Sequence, residues 1–329
     1  MHILIASRTV IPVTAYGGTE RVIWDLGRAL VDRGHQVTYL VEQGSSCDFA
    51  PVIIFNDRGD LRQQIPANVD LVHFHYLPEP DLDQHFERPY LYTEHGNSGD
   101  RPPLPLNAVF LSRNHAVRHG STEFVHNGLD WRHYGEVDFQ ASRHYFHFLG
   151  KAAWRVKNVA GAIDVARRAG QRLSVLGGHR LNLKRGFRFT WSPSIRFHGM
   201  VGGELKCRLL NGSRGLIFPV RWHEPFGLAV IESLYFGCPV FGTPYGSLPE
   251  LVAPGLGTLT ARAADLALAV RQCHTLDPRA CHAYAVQNFS ARVMAGNYLH
   301  KYEQVLAGQR LNPERPRMQP GFKGLPWET

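Results

Sequence analysis

His223 to Glu250 reads HEPFGLAVIESLYFGCPVFGTPYGSLPE. Leu228, Ile231, Leu234 and Tyr235 recur at helical spacing, and Gly237 with Pro239 stops the run, so the spacing predicts a helix over 226–236. An apolar run, GLIFPV, precedes it and another, CPVFGT, follows. Strand, helix and strand in that order is the repeating unit of a parallel sheet covered by helices. The first turn of the helix leaves backbone N–H groups unpaired and carries positive partial charge, which favours phosphate or hydroxyl oxygens. Gly227 lets a ligand approach that backbone closely.

Glu224 and Glu232 stand eight positions apart in this stretch, about 10 Å at the rise of a helix. Two carboxylates flanking one bond in a retaining glycoside hydrolase lie only about 5 Å apart; an inverting pair at the long end of its range is less easily excluded. At this separation each carboxylate suits a different vicinal diol of one long ligand. A nucleotide sugar offers two such diols, on the sugar and on the ribose, with the diphosphate between them. The plain structural alternative makes Glu224 a helix-start carboxylate and Glu232 an exposed helix residue.

At 329 residues, with 44% hydrophobic and 19% charged, the chain is long enough for two domains, each with its own core. No apolar run approaches the roughly 18 residues of a membrane span. The start, MHILIASRTVIPV, reads as a first buried strand and not a signal peptide. Five cysteines without a C-x-x-C pair suit a reducing cytoplasm. The net charge of +8 is uneven: residues 1–145 carry 12 Lys and Arg against 18 Asp and Glu, and the remainder carries 24 against 10. A basic second half fits an anionic ligand such as a nucleotide diphosphate. Aromatic residues are not interleaved with the basic run HRLNLKRGFRF as a nucleic-acid stacking platform needs, so no nucleic-acid partner is expected.

The first half alternates HILIAS, a helix over 19–33, HQVTYLV, DLVHFHY, PYLYTEH, AVFLS and STEFVHN. The pattern restarts with YFHFLG, a helix over 158–169, RLSVLGG, SIRFHG and GLIFPV. Short buried runs alternating with helices imply two doubly wound Rossmann-like α/β domains facing across a cleft. The expected boundaries are 1–143 for the first domain and 144–288 for the second. A helix over 289–306, capped by Ser290, packs back toward the first domain, and 307–329 forms an extended Pro-rich basic tail.

Eight segments, in order, resemble retaining glycosyltransferases of family 4, of GT-B fold, over nearly the whole chain. They are GGTERVIWDLGRALVDRGHQVTYLV, DLVHFH, TEHG, VHNGLD, FLGK with Lys157 six residues on, VLGG, RFHGMV, and the 223–250 block. The resemblance implies that Glu224 binds the donor sugar hydroxyls, Glu232 the ribose, and Lys151 and Lys157 the diphosphate. Relatives usually carry Arg at the position of Lys151, so here a point charge replaces a bidentate fork. It also implies that His95 faces the reacting sugar, that Asn127 lines the cleft, and that Gly17 and Gly18 approach phosphates or acceptor. Backbone groups of Phe226, Gly227 and Leu228 then face sugar and phosphate, and Met200 and Val201 meet the base.

The 18 histidines, above all His115 and His119 at helical i, i+4 spacing, lack the H-E-x-x-H pattern and any cysteine cluster, so no metal site is expected. The function implied is metal-independent retaining transfer of a sugar from a nucleoside diphosphate sugar, such as a UDP- or GDP-sugar, to a hydroxyl acceptor. That acceptor is a saccharide, a small molecule or a lipid-linked group. No cofactor beyond the donor substrate is implied, nor a transmembrane segment, and the location expected is cytoplasmic or peripheral to the membrane. A nucleotide-sugar epimerase on the same fold and a non-catalytic nucleotide-sugar-binding subunit remain as alternatives.

Overall fold

The structure is a computed structural model and describes residues 1–13, 17–79, 82–97, 99, 102–182, 188–319 and 324–329. The tip of the basic run, 183–187, lies outside the described residues. Two compact units result: the first comprises Met1–Val13, Gly17–Asp130 and 289–319, the second Trp131–Asn288 and 324–329. The division falls at Asp130/Trp131, ahead of the 143/144 that the sequence suggests, because residues 131–143 pack with the second unit. Tyr134 bonds Glu232, and Arg143 donates to the carbonyls of Ser213 and Phe236.

In the first unit, His2–Ala6 (β1), Gln36–Val41 (β2), Val52–Ile54 (β3), Leu71–Phe74 (β4), Tyr90–Thr93 (β5) and Ala108–Val109 (β6) form one sheet. Its order is β3-β2-β1-β4-β5-β6, parallel throughout. The apolar runs make it so: Ile3, Leu4, Ile5, Leu71, Val72 and Leu91 are wholly buried, as both-face coverage of a parallel sheet requires. STEFVHN is not a strand; only Phe124 bridges Phe110. Thr19–Val31 (α1) buries Val22, Ile23, Leu26 and Leu30 on one face. Leu82–His85 (α2) and Arg113–Val117 (α3) are short helices, the latter capped by Ser112.

In the second unit, Tyr145–Leu149 (β7), Leu173–Leu176 (β8), Ile195–Phe197 (β11), Ser213–Phe218 (β12), Val240–Gly242 (β13) and Gly257–Leu259 (β14) form a second parallel sheet. Leu181–Asn182 (β9) and Arg188–Phe189 (β10) make a separate antiparallel pair. The order is β11-β8-β7-β12-β13-β14. Its helices are Val159–Arg168 (α4), Gly203–Asn211 (α5), Leu228–Tyr235 (α6), Leu248–Leu251 (α7), Ala263–Arg271 (α8) and Pro278–Asn288 (α9). Ala291–Leu306 (α10) follows the Ser290 cap and packs on α1 and β5 within the first unit.

The tail is not a loose extension. Asn312 is 2% exposed, donating to the carbonyls of Leu106 and Ala108 and accepting from Ser121. Near the end of the chain, Leu325 is buried and Glu328 pairs its backbone with Ala261 and Ala263 in the second unit. Proline and arginine mask these contacts in the composition. Among the described residues, no helix is long and apolar enough to cross a membrane.

Candidate functional site

Both sheets reverse their order beside the first strand of each unit, between β1 and β4 and between β7 and β12. Open α/β sheets leave a crevice at the carboxyl ends of the strands where the order reverses, and ligands bind there. In the second unit Lys151 follows the carboxyl end of β7, and the loop carrying Glu224 follows β12. Met200 and Val201 follow β11, and Gly246 follows β13. Topology thus gathers residues up to 95 positions apart, Lys151 to Gly246, at one sheet edge.

The sharpest feature at this edge is an ion pair. Lys157 Nζ donates to Glu224 Oε2 at 2.6 Å, and the Trp222 indole donates to the same oxygen at 2.8 Å. The two charged side chains are 14% and 8% exposed. Lys157 also stands 5.0 Å from the Trp222 ring and 5.4 Å from the Phe218 ring, a cation held over aromatic faces. Trp154 meets Trp222 edge-on at 6.3 Å, and Lys151, an exposed side chain, stands 5.3 Å from the Trp154 ring.

The helix differs from its sequence expectation at both ends. It spans Leu228–Tyr235, with Gly227 at its cap in the left-handed region at φ 96° and Phe226 outside it. A β-carbon on Gly227 would come within 3.3 Å of the Glu224 side chain, so Gly at this position serves conformation and space together. Gly246 holds the other side. Its φ is 65°, and a β-carbon would lie 2.2 Å from Glu224 N and 2.4 Å from Glu224 O. Next to it, Ser247 N donates to Glu224 O at 3.0 Å, and the Ser247 hydroxyl donates to Phe226 O. Glu224 is therefore clamped through its backbone as well as its carboxylate.

Glu232 is not an exposed helix residue. It is 6% exposed, and its Oε1 accepts from Tyr134 at 2.6 Å and from Lys206 at 2.5 Å. Neither partner stood out in the sequence. The helix that carries it is fixed from below by His147 on β7, wholly buried between two serines at 2.7 Å (Ser213, Nδ1) and 2.8 Å (Ser233, Nε2). Ser233 spends its hydrogen on Ala229 O, so Nε2 carries the ring proton and Nδ1 accepts.

Burial pushes the pKa of His147 down to about 3, and that of His115 likewise to about 3. An unfolded histidine titrates near 6.5, so below that pH the unfolded chain takes up a proton that the folded chain refuses. Stability is therefore full above about pH 6.5. It falls as the pH drops toward 3, by about 1.4 kcal/mol per pH unit for each such histidine. Urea midpoints at pH 7.5, 6 and 5 should decrease in that order; a flat series would contradict it.

The first unit holds the remaining predicted residues. His95 follows β5 and is half-buried; its Nε2 meets His75 Nδ1 at 2.8 Å, and burial pushes its pKa down to about 4. Asn127 is 4% exposed, and its Oδ1 has no hydrogen-bond partner in the structure. Gly18 caps α1 without a side-chain bond. At Gly17 a β-carbon would come within 2.8 Å of Glu20 Oε2 and nearer still to Val13. His115 has both ring nitrogens in use: Nδ1 accepts from Leu111 N, and Nε2 donates to Gly96 O. His119 Nδ1 donates to His115 O. The helically spaced pair holds loops together, and among the described residues no group of three His, Cys, Asp or Glu is placed for a metal.

Each unit is a Rossmann-like parallel-sheet domain, and the solved structures that the chain resembles give it the GT-B fold of glycosyltransferases. Residues 143–275, the segment containing the Glu224 corner, match the family described as "Glycosyl transferases group 1". The chain resembles AviGT4, a glycosyltransferase involved in avilamycin A biosynthesis, at 23% identity and a TM-score of 0.74 over 93% of this chain and 98% of that one. Sucrose-phosphate synthase from Thermosynechococcus elongatus is similar at 16% identity and TM-score 0.71, over 94% and 100%. Anabaena Alr3699/HepE, solved in complex with UDP-glucose, matches at 17% and 0.64, also over 94% and 100%. A 41.2 kDa protein in the cps region of Klebsiella pneumoniae is 30% identical over 117 residues, 33% of this chain and 32% of that protein. The matched segment thus spans about a third of that relative. Family match and fold together support a glycosyltransferase.

Proposed function

We propose that the protein transfers a sugar from a nucleoside diphosphate sugar to a hydroxyl acceptor, with retention at the anomeric carbon and without a metal. The observation that carries this is the Lys157–Glu224 pair at the switch point of the second sheet, beside the Gly227 cap of α6. A carboxylate suited to sugar hydroxyls and an ammonium suited to phosphate satisfy each other here. Donor binding exchanges that pair for two ligand contacts, Lys157 to the diphosphate and Glu224 to the sugar. Lys151 adds a second cation, and the N–H groups opening α6 add a dipole, where charge develops on the leaving phosphate. In the first unit the proposal keeps His95 for the sugar, and Gly17, Gly18 and Asn127 for donor or acceptor.

In this mechanism the C1–O bond to the phosphate breaks as the acceptor oxygen approaches the same face, and the acceptor proton passes to the departing phosphate oxygen. In this mechanism Glu224 holds the sugar hydroxyls and forms no bond to the anomeric carbon. Anabaena Alr3699/HepE is solved in complex with UDP-glucose and, separately, with UDP, which supports a nucleotide-sugar donor here. The test is proton NMR of the first product in the presence of EDTA. Retained anomeric configuration is expected; inversion, or activity lost to EDTA, would overturn the corresponding part.

Lys157→Ala should weaken nucleoside diphosphate binding about tenfold to a hundredfold, the range for a hydrogen bond to a charged group. Calorimetric titration with UDP and GDP checks it. Unchanged affinity would remove Lys157 from the diphosphate.

A further inference from the structure

Lys206 on α5 lies outside every residue assigned above to the donor. Its ammonium donates to Glu232 Oε1 and stands 5.1 Å from the Tyr134 ring, whose hydroxyl donates to that same oxygen. The three side chains come from α5, α6 and the turn after Asp130, and all are more than nine-tenths buried: Lys206 is 5% exposed, Glu232 6% and Tyr134 3%. Lysine is almost never buried this far without a partner, since its stem ordinarily carries the charge out to water. An enclosed carboxylate in turn is costly unless a cation and hydrogen bonds offset its lost hydration. Two donors converging on one oxygen also stop the carboxylate from rotating about its last bond.

Resting on the assignment of Glu232 to the ribose, we propose that Lys206 is the positioning residue through which the site reads a ribose diol. It fixes Glu232 charged and in one orientation, so that the carboxylate accepts from both the 2′ and the 3′ hydroxyl. A lysine that only held two helices together would change the affinity of every nucleoside diphosphate by the same factor. A positioning lysine changes the ratio between ribose and 2′-deoxyribose forms.

The full chain is titrated calorimetrically with UDP, GDP and ADP, and then with the 2′-deoxy counterpart of whichever binds. The wild type should prefer the ribonucleotide by about tenfold or more, the scale of one hydroxyl donated to a charged acceptor. In Lys206→Met the ratio should fall to near one, and Lys206→Arg should restore most of it. Lys206→Met strands a buried carboxylate, so Lys206→Gln, which keeps a donor and loses the charge, carries the same test if the first variant does not fold. A Lys206→Met or Lys206→Gln protein that keeps the wild-type ratio overturns the proposal, as does a wild type that binds both forms equally. A wild type that binds no nucleoside diphosphate at all overturns the donor assignment instead.

Discussion

Replacing Glu224 by Ala should lower the transfer rate by about 10²–10³-fold, the range seen when one preorganised polar contact to a transition state is lost. The affinity for the bare nucleoside diphosphate should hold or rise, because Lys157 loses the carboxylate that competes with phosphate for its ammonium. Stability should drop as well, since removing one member of a buried pair leaves the other charged and enclosed, at about 3–5 kcal/mol in well-buried cases. Glu224→Gln keeps an acceptor for the Trp222 indole and should fold better while still losing most of the rate. Steady-state kinetics beside UDP and GDP titration separate the two effects. A variant that keeps wild-type turnover removes Glu224 from the chemistry.

Gly246→Ala should destabilise the protein by about 2–4 kcal/mol, combining left-handed backbone strain with an overlap that has nowhere to go. The atoms in the way are backbone N and O of Glu224, at 2.2 Å and 2.4 Å from the added carbon, and neither can rotate aside. Gly255 provides the control, with φ 85° and nothing within 4 Å of its added carbon. Gly255→Ala should cost only the conformational part, about 1 kcal/mol. Urea denaturation of the two variants measures the difference. Equal losses would mean that the 243–248 loop does not brace Glu224. Because any relief of the overlap moves Glu224, turnover should fall further in Gly246→Ala than its stability alone predicts.

The contrast between Glu224 and its supports shows what the sequence could convey. Strands β1, β4, β7, β8 and β12 were legible because continuous apolar runs are what two-sided burial demands. The Ser290 cap was legible because a hydroxyl before a helix satisfies an otherwise unpaired N–H; it accepts from Val293 N. Strand β14, with GTL half-buried over three residues, carries no such run, and β3 is as short.

Lys206 sits in GELKCRLLN, where a lysine at that spacing resembles a solvent-facing residue. What makes it otherwise is Glu232, 26 positions away. Tyr134 and Gly246 are hidden in the same way, since what each does depends on contacts made only when the chain assembles around Glu232 and Glu224. Local propensity reports burial and caps well. It does not report which partners converge on a carboxylate, nor the division at Asp130/Trp131, which depends on contacts such as Arg143 to the Phe236 carbonyl.

The most direct test of the Lys157–Glu224 corner as a donor site is thermal unfolding of the full chain with a panel of UDP-, GDP-, ADP- and TDP-sugars. A bound donor at a hundredfold excess over its Kd adds about 2.7 kcal/mol of stability, which raises the melting temperature by a few degrees. One member of the panel should do this for the wild type and much less for Lys157→Ala. A folded wild type that none of the four stabilises would contradict the account.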